Sequence, residues 1–322
     1  MENTPVLQIK DLKKYYKITA GIIPRAVGEV KAVDGVSLDI AEGEVFGLVG
    51  ESGCGKSTLG KTILRLEEPT SGEIIFNGVD VVKLNKQELR NLRGKVQIVF
   101  QDPDSSLDPR MTVGGTIEEA LIVHGVDDPA ERTARVAGLM EKVGLEPDFA
   151  ERYPHEFSGG QKQRIGIARA LAMNPELVIA DEPVSALDVS VQAQILNLMM
   201  DIKERDGLAY MFVSHDLSIV KYVSDRVGVM YLGKIMEVAD KAEFFRNPLL
   251  PYTEALLSAI ANLRPAGKDR ILLKTDVPSP LRVPSGCRFH TRCHRVMPVC
   301  LQVEPGLLEV SPGHFVACHL YD

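Results

Sequence analysis

The chain has 322 residues, 45% hydrophobic and 25% charged, which fits a globular protein with a sizeable core and excludes a collagen-like or disordered chain. Its net charge of -7 excludes a nucleic-acid binder held by bulk positive charge. The opening "MENTPVLQIKDLKKYYK" has no apolar core or cleavage-like site, and no later run approaches the roughly 18 apolar residues of a membrane span, so a cytoplasmic protein is expected that meets membranes only through partners.

Residues 6–49 read as β-rich. "VSLDI" alternates apolar and polar at Val36, Leu38 and Ile40, as a half-exposed antiparallel strand does, whereas "EVFGLVG" is an almost continuous apolar run suited to a strand buried on both faces. Two kinds of sheet are expected. From Lys56, "KSTLGKTILRL" sets Leu59, Ile63 and Leu66 on one helical stripe, and "ARVAGLMEKV" does the same with Val136, Leu139, Met140 and Val143. The stretch 102–165 reads as a helical insertion. A second buried strand, "LVIA", runs into Asp181, and a helix with Val191, Ile195, Leu198, Met199 and Ile202 on one face follows it. The strand "YMFVS" then closes on His215. This alternation indicates an α/β fold with a mainly parallel sheet. After residue 262 the composition turns proline- and glycine-rich in "RPAGKDR" and "VPSPLRVPSG". The expected division is a nucleotide-binding domain over 1–262 and a linker with a small cysteine-rich module over 263–322.

"GESGCGKST" comprises Gly50, Glu51, Ser52, Gly53, Cys54, Gly55, Lys56, Ser57 and Thr58, between a buried strand and a helix. Glycines let the backbone curl around a phosphate, amides at the helix N-terminus stabilise its charge, Lys56 reaches the β and γ phosphates, and Ser57 can ligate Mg²⁺. In "LVIADEP", Asp181 ends a buried strand where it can bind Mg²⁺, and Glu182 can orient or deprotonate an attacking water. In "FSGGQKQR", Ser158 caps a helix, and with Gly159, Gly160 and Gln161 it makes a second anion-binding helix end.

Gly50 to Thr58, Gln101, Ser158 to Gln161, Asp181 and Glu182, "SALD" (Ser185 to Asp188) and His215, in that order over residues 6–250, resemble the ATP-binding cassette (ABC) family. The resemblance implies a P-loop NTPase core with an antiparallel β-subdomain and a helical insertion. It also implies head-to-tail pairing, each signature loop closing on the partner's nucleotide. Gln101 would contact Mg²⁺ and the attacking water, His215 the γ-phosphate, and Asp188 the facing subunit. Tyr16, of the pair Tyr15 and Tyr16, would stack on adenine. One departure stands out: Phe157 opens the signature where leucine is usual, and being apolar it is expected to pack behind the turn.

"VGESGCGKSTLGKTILRLEEPTSGEI", "VFQDPDSSLDPRMTV" and "NPLLPYTEALLSAI" further resemble the second, F-type ATPase of bacterial dipeptide and oligopeptide importers. That branch implies ATP hydrolysis coupled to uptake at the cytoplasmic membrane face. Its partners would be a second homologous ATPase, two transmembrane permeases and an extracytoplasmic substrate-binding protein, with no nucleic acid. Nickel, glutathione and some sugar importers share the branch. A soluble cassette acting on ribosomes or DNA, and a P-loop small-molecule kinase, are the competing classes. The kinase has no use for "FSGGQ" or "SALD".

Cys287, Cys293, Cys300 and Cys318 fall in the last 36 residues, with five, six and seventeen residues between them. A cytosolic site disfavours disulfides and points to a metal that stabilises a small module. Zinc sites usually contain a tighter pair, and these gaps match neither ferredoxin pattern. The resemblance to peptide-importer ATPases carrying such cysteines implies a [4Fe-4S] cluster. Zinc, drawing on His290, His294, His314 or His319, and reduced cysteines packed as small hydrophobes are the alternatives.

Overall fold

The protein is described from a computed structural model covering residues 5–20, 25–260, 270–273 and 275–322. The start of the expected linker, 263–269, lies outside the described residues. Two compact units are formed, one on Lys83–Phe212 with Ile40–Glu44, the other on Leu7–Asp39, Val45–Val82 and Val213–Asp322.

The second unit holds both kinds of sheet. Four strands lie in the order Arg25–Ala41, Pro5–Ala20, Ser71–Phe76 and Val79–Asp80, with the Pro5–Ala20 and Ser71–Phe76 strands antiparallel (Leu7 opposite Phe76, Ile9 opposite Ile74). Val36, Leu38 and Ile40 face inward while Ser37 and Asp39 are exposed, because side chains on a strand alternate between faces. The strand Val45–Val49 is buried throughout and pairs in parallel with Arg226–Tyr231, Phe46 opposite Arg226. That strand turns back through Lys234–Asp240.

The sheet then continues into the C-terminal chain. Lys234–Asp240 pairs with His314–Val316, Glu237 opposite Val316, and His314–Val316 pairs with Leu308–Ser311. A separate cysteine-rich module is therefore not supported: residues 287–322 belong to the same compact unit as Val45–Val82, and their strands complete its sheet. Glu237, with no exposed surface, fastens them. Its carboxylate accepts from the Leu249 amide at 2.8 Å, the Leu250 amide at 3.2 Å, the Thr253 hydroxyl and His314 Nε2 at 2.8 Å. A buried carboxylate is tolerable only with donors of this number.

The helix Lys56–Ile63 buries Leu59 and Ile63, but the expected stripe stops before Leu66, which is 47% exposed. Arg65 takes a left-handed backbone (φ 48°), and the Leu66 amide returns to the Lys61 carbonyl at 2.9 Å. This closing turn satisfies an orphan carbonyl and swings Leu66 outward.

In the first unit, Val96–Val99 and Leu177–Asp181 run parallel, Val96 opposite Leu177, and Ala209–Ser214 lies beside Leu177–Asp181. From residue 103 to 171 the chain is helices and turns: Pro103–Ser106, Val113–Val123, Pro129–Lys142 and Gly159–Leu171 are the helices. Val136, Leu139, Met140 and Val143 form the buried stripe of this region. The helix Val189–Asp206 buries Ile195, Met199 and Ile202. No helix among the described residues is long and apolar enough to cross a membrane.

Candidate nucleotide site

The strand Val45–Val49 delivers the glycine loop to the helix Lys56–Ile63. Gly50 (φ 154°) and Gly55 (φ 112°) are essential to that path: a Cβ on Gly50 would lie 2.2 Å from the Met230 carbonyl oxygen, and one on Gly55 2.0 Å from that of Ala32. Gly55 caps the helix without a side-chain bond. Lys56 is buried, and its ammonium donates to the carbonyls of Gly50 at 2.8 Å and Glu51 at 3.2 Å. Carbonyl dipoles do not neutralise an ammonium, so the loop fits an anionic ligand such as a nucleotide phosphate. Cys54 is buried beneath the loop, its Sγ 3.8 Å from Lys56 Nζ; burial raises its thiol pKa, and the lysine opposes the rise.

The two tyrosines separate cleanly. Tyr15 donates its hydroxyl to Asp34, whereas Tyr16 stays 36% exposed, with the Lys14 ammonium 4.7 Å from its ring centroid. Burial first, and then the neighbouring Glu67 carboxylate, raises the Tyr16 hydroxyl pKa, which Thr58, the loop's last residue, opposes. His215 is exposed immediately after the strand Ala209–Ser214, and Asp216 behind it caps the next helix by accepting from the Ser218 amide at 2.7 Å.

The first unit gathers the other expected residues. Asp181 is buried at the end of its strand. Glu182, next to it, has a left-handed backbone (φ 48°), a conformation that a non-glycine residue keeps only where its surroundings enforce it. The Gln101 amide donates to the Glu182 carboxylate at 3.1 Å, joining two residues 81 positions apart. Ser158 and Gln161 form a reciprocal cap: the Ser158 amide donates to Gln161 Oε1 at 2.9 Å, and the Gln161 amide to Ser158 Oγ at 3.4 Å. A Cβ on Gly160 would lie 2.4 Å from Val191 Cγ1. Phe157 is buried, its ring edge-on to Phe149 at 6.0 Å. Asp188 precedes the helix Val189–Asp206 without making a capping bond, and Ser185 Oγ donates to the Glu182 carbonyl at 3.1 Å.

The cysteines come together without forming a ready ligand set. Every pair among Cys287, Cys293, Cys300 and Cys318 interacts electrostatically, and the Cys287 amide donates to the Cys300 carbonyl at 2.8 Å. Burial, and after it the neighbouring thiols, push Cys287 up to about 11. Yet among the described residues no three His, Cys, Asp or Glu side chains form a group that could hold a metal ion. The expected iron–sulfur cluster is not supported by that arrangement. The histidines offered for zinc have other partners. His314 Nε2 meets Glu237 at 2.8 Å, and His290 Nδ1 the Cys287 carbonyl at 2.9 Å. His294 lies 3.5 Å from Glu254. His319 has both nitrogens engaged, by Asp322 and by the Val303 carbonyl, and these two partners hold its pKa above the usual value.

Sequence reasoning missed the residues that surround the glycine loop. Arg292 makes a two-pronged pair with Glu51, at 2.5 and 2.9 Å. The Glu51 amide donates to the Tyr252 hydroxyl at 3.0 Å. Arg288 pairs with Asp34 and donates to the Leu232 carbonyl. Between the two arginines, Phe289 packs on Tyr231 and Tyr252 with centroids 5.4 and 5.1 Å away. The only local signal is two arginines four residues apart flanking a phenylalanine, in "CRFHTRC".

A buried strand, a glycine loop in left-handed conformations, a buried lysine and an uncapped helix end define a P-loop nucleotide-binding protein. The chain matches the ABC transporter family over residues 33–185 and the oligopeptide/dipeptide transporter C-terminal region over 236–300. It is 55% identical to the oligopeptide transport ATP-binding protein AppF of Bacillus subtilis over 98% of this chain and 97% of that protein. It is 48% identical to the dipeptide transport ATP-binding protein DppF of Haemophilus influenzae over 100% of this chain and 98% of that one. A dimeric ATP-binding cassette, MJ0796, in a post-hydrolysis state with ADP and phosphate superposes with a TM-score of 0.65 at 32% identity, over 73% of this chain and 98% of that one. The chain belongs to the ABC transporter ATP-binding proteins, in their oligopeptide/dipeptide branch.

Proposed function

We propose that the chain is the ATP-hydrolysing subunit of an ABC importer for dipeptides or oligopeptides, working with a second homologous ATPase at the cytoplasmic face of a membrane. Two transmembrane permeases and an extracytoplasmic substrate-binding protein complete the assembly. The observation that carries this reading is full-length similarity near 50% to peptide-transport ATP-binding proteins, over a chain that retains each ATPase motif. Nickel, glutathione or sugar import by the same machinery, and a soluble role without permeases, are the rival outcomes.

In this reading Lys56 and the loop Gly50 to Thr58 grip the phosphates, and Tyr16 stacks on adenine. Ser57, Gln101 and Asp181 are the residues that would hold Mg²⁺, which would supply charge neutralisation at the phosphates. Glu182 orients and deprotonates the attacking water, steadied by the hydrogen bond from Gln101. His215 contacts the γ-phosphate. Ser158, Gly159, Gly160 and Gln161 close on the nucleotide held by the partner ATPase, and Asp188 meets that partner. Support comes from the motif order, the Gln101–Glu182 bond and the strained backbone of Glu182. The test is ATP-dependent uptake of a labelled dipeptide into vesicles holding the whole transporter. Uptake of nickel or glutathione but not of any peptide would refute the cargo, and failure to co-purify with permeases would refute the transport role.

The cysteines are proposed to carry a [4Fe-4S] cluster. What favours it is the gathering of four cysteines, of which Cys287 and Cys300 are buried, with burial raising the pKa of Cys287, Cys293 and Cys318, a cost that a cation replacing their protons would relieve. Against it, no three such side chains already form a metal-holding group among the described residues. Iron and acid-labile sulfide in anaerobically purified protein are the expected findings. One equivalent of zinc, or no metal, would reject the cluster.

A further inference from the structure

Arg292 lies in the C-terminal chain, yet its guanidinium grips the second residue of the phosphate loop. The two pairs with Glu51, at 2.5 and 2.9 Å, use the fork geometry of arginine against a carboxylate. The pair is shielded: the Arg292 side chain is 5% exposed and that of Glu51 26%. Arg292 is itself fixed from two further sides. Its Nε donates to the Thr275 carbonyl at 3.0 Å, and its guanidinium carbon sits 5.9 Å from the Tyr231 ring centroid. The Glu51 amide donates to the Tyr252 hydroxyl at 3.0 Å, so both the backbone and the side chain of Glu51 are engaged by the chain around the aromatic cluster of Tyr231, Tyr252 and Phe289. Glu51 thus acts as a handle by which the rest of the unit holds the loop.

We propose that Arg292 is a positioning residue for ATP binding: through Glu51 it holds the glycine loop in its phosphate-receiving shape, making the C-terminal chain part of the nucleotide site. This rests on the reading that Gly50 to Thr58 bind ATP. A carboxylate beside the phosphates would repel them; paired with Arg292 its charge is neutralised. Arg288, four residues earlier, holds Asp34 and the Leu232 carbonyl in the same unit, so the two arginines anchor one segment at two points.

The test uses the full-length chain with a fluorescent ATP analogue, and ATP turnover in the whole transporter. Arg292→Gln should weaken analogue binding and raise the KM for ATP by roughly tenfold to a hundredfold, the usual consequence of leaving a shielded carboxylate unpaired, with kcat within about twofold. Arg292→Lys should restore part of the affinity. Because Arg292 acts through Glu51, adding Arg292→Gln to Glu51→Gln should change KM no further. Unchanged affinity in a folded Arg292→Gln chain overturns the proposal, as does an equal loss in the Glu51→Gln background. If Arg292→Gln does not fold, Glu51→Lys still decides: placing two like charges together should raise KM, and unchanged KM overturns the proposal. Absence of analogue binding by the unaltered chain would refute the ATP reading itself.

Discussion

Two helix ends in this molecule are proposed to bind phosphate, and they are built in opposite ways. The helix Lys56–Ile63 begins at Gly55, a left-handed residue with no side chain to cap it, and it has a buried lysine beside it. The helix Gly159–Leu171 begins at Ser158, which with Gln161 forms a reciprocal cap, and Ser158 and Gly159 are exposed. A glycine-capped end leaves its amides and its charge for a ligand and relies on neighbouring chain for its shape. A serine-capped end is stable by itself and presents an exposed polar surface suited to a second molecule. The first end is surrounded by the network of Glu51, Tyr252 and Arg292, while the second carries its own capping box.

The largest expected effect separates chemistry from gripping. Glu182→Gln should lower ATP turnover of the whole transporter by about a hundredfold or more while analogue binding persists, because the Gly50–Thr58 loop is unchanged. Turnover within twofold of the unaltered protein would remove Glu182 from the mechanism.

Next comes the scaffolding of the second unit. Glu237→Ala strips an acceptor from two amides, the Thr253 hydroxyl and His314, and should destabilise the protein by about 3 kcal/mol or more in urea unfolding. A change below about 1 kcal/mol would mean that the C-terminal strands are held elsewhere.

The smallest contrast lies within one predicted stripe. Leu59→Ala, at a fully buried position, should cost about 2 to 5 kcal/mol. Leu66→Ala, at a position 47% exposed, should stay within about 0.5 kcal/mol. Equal losses at the two sites would show that Leu66 is covered in solution.

The motifs whose chemistry is local were legible in the sequence. Gly50 to Thr58, Asp181 with Glu182, and Ser158 to Gln161 each place donors or carboxylates within a few residues of a strand end or helix start, so spacing alone reveals them. The alternation of "VSLDI" and the apolar run "EVFGLVG" likewise announced one half-exposed and one fully buried strand, and the burial follows them. The stripe through Leu66 misled because periodicity does not register a helix stop made by one left-handed arginine.

What the sequence by itself determined is the nucleotide machinery, because steric freedom at glycine, helix-end amides and strand-end carboxylates are properties of short segments. Only the tertiary structure decided the role of the C-terminal chain. Glu51 and Arg292 are 241 positions apart, and Glu237 and His314 are 77 apart. No periodicity or spacing encodes which distant charge a carboxylate meets; that is settled when strands such as His314–Val316 find their edge in the sheet and bury the groups that must then be paired.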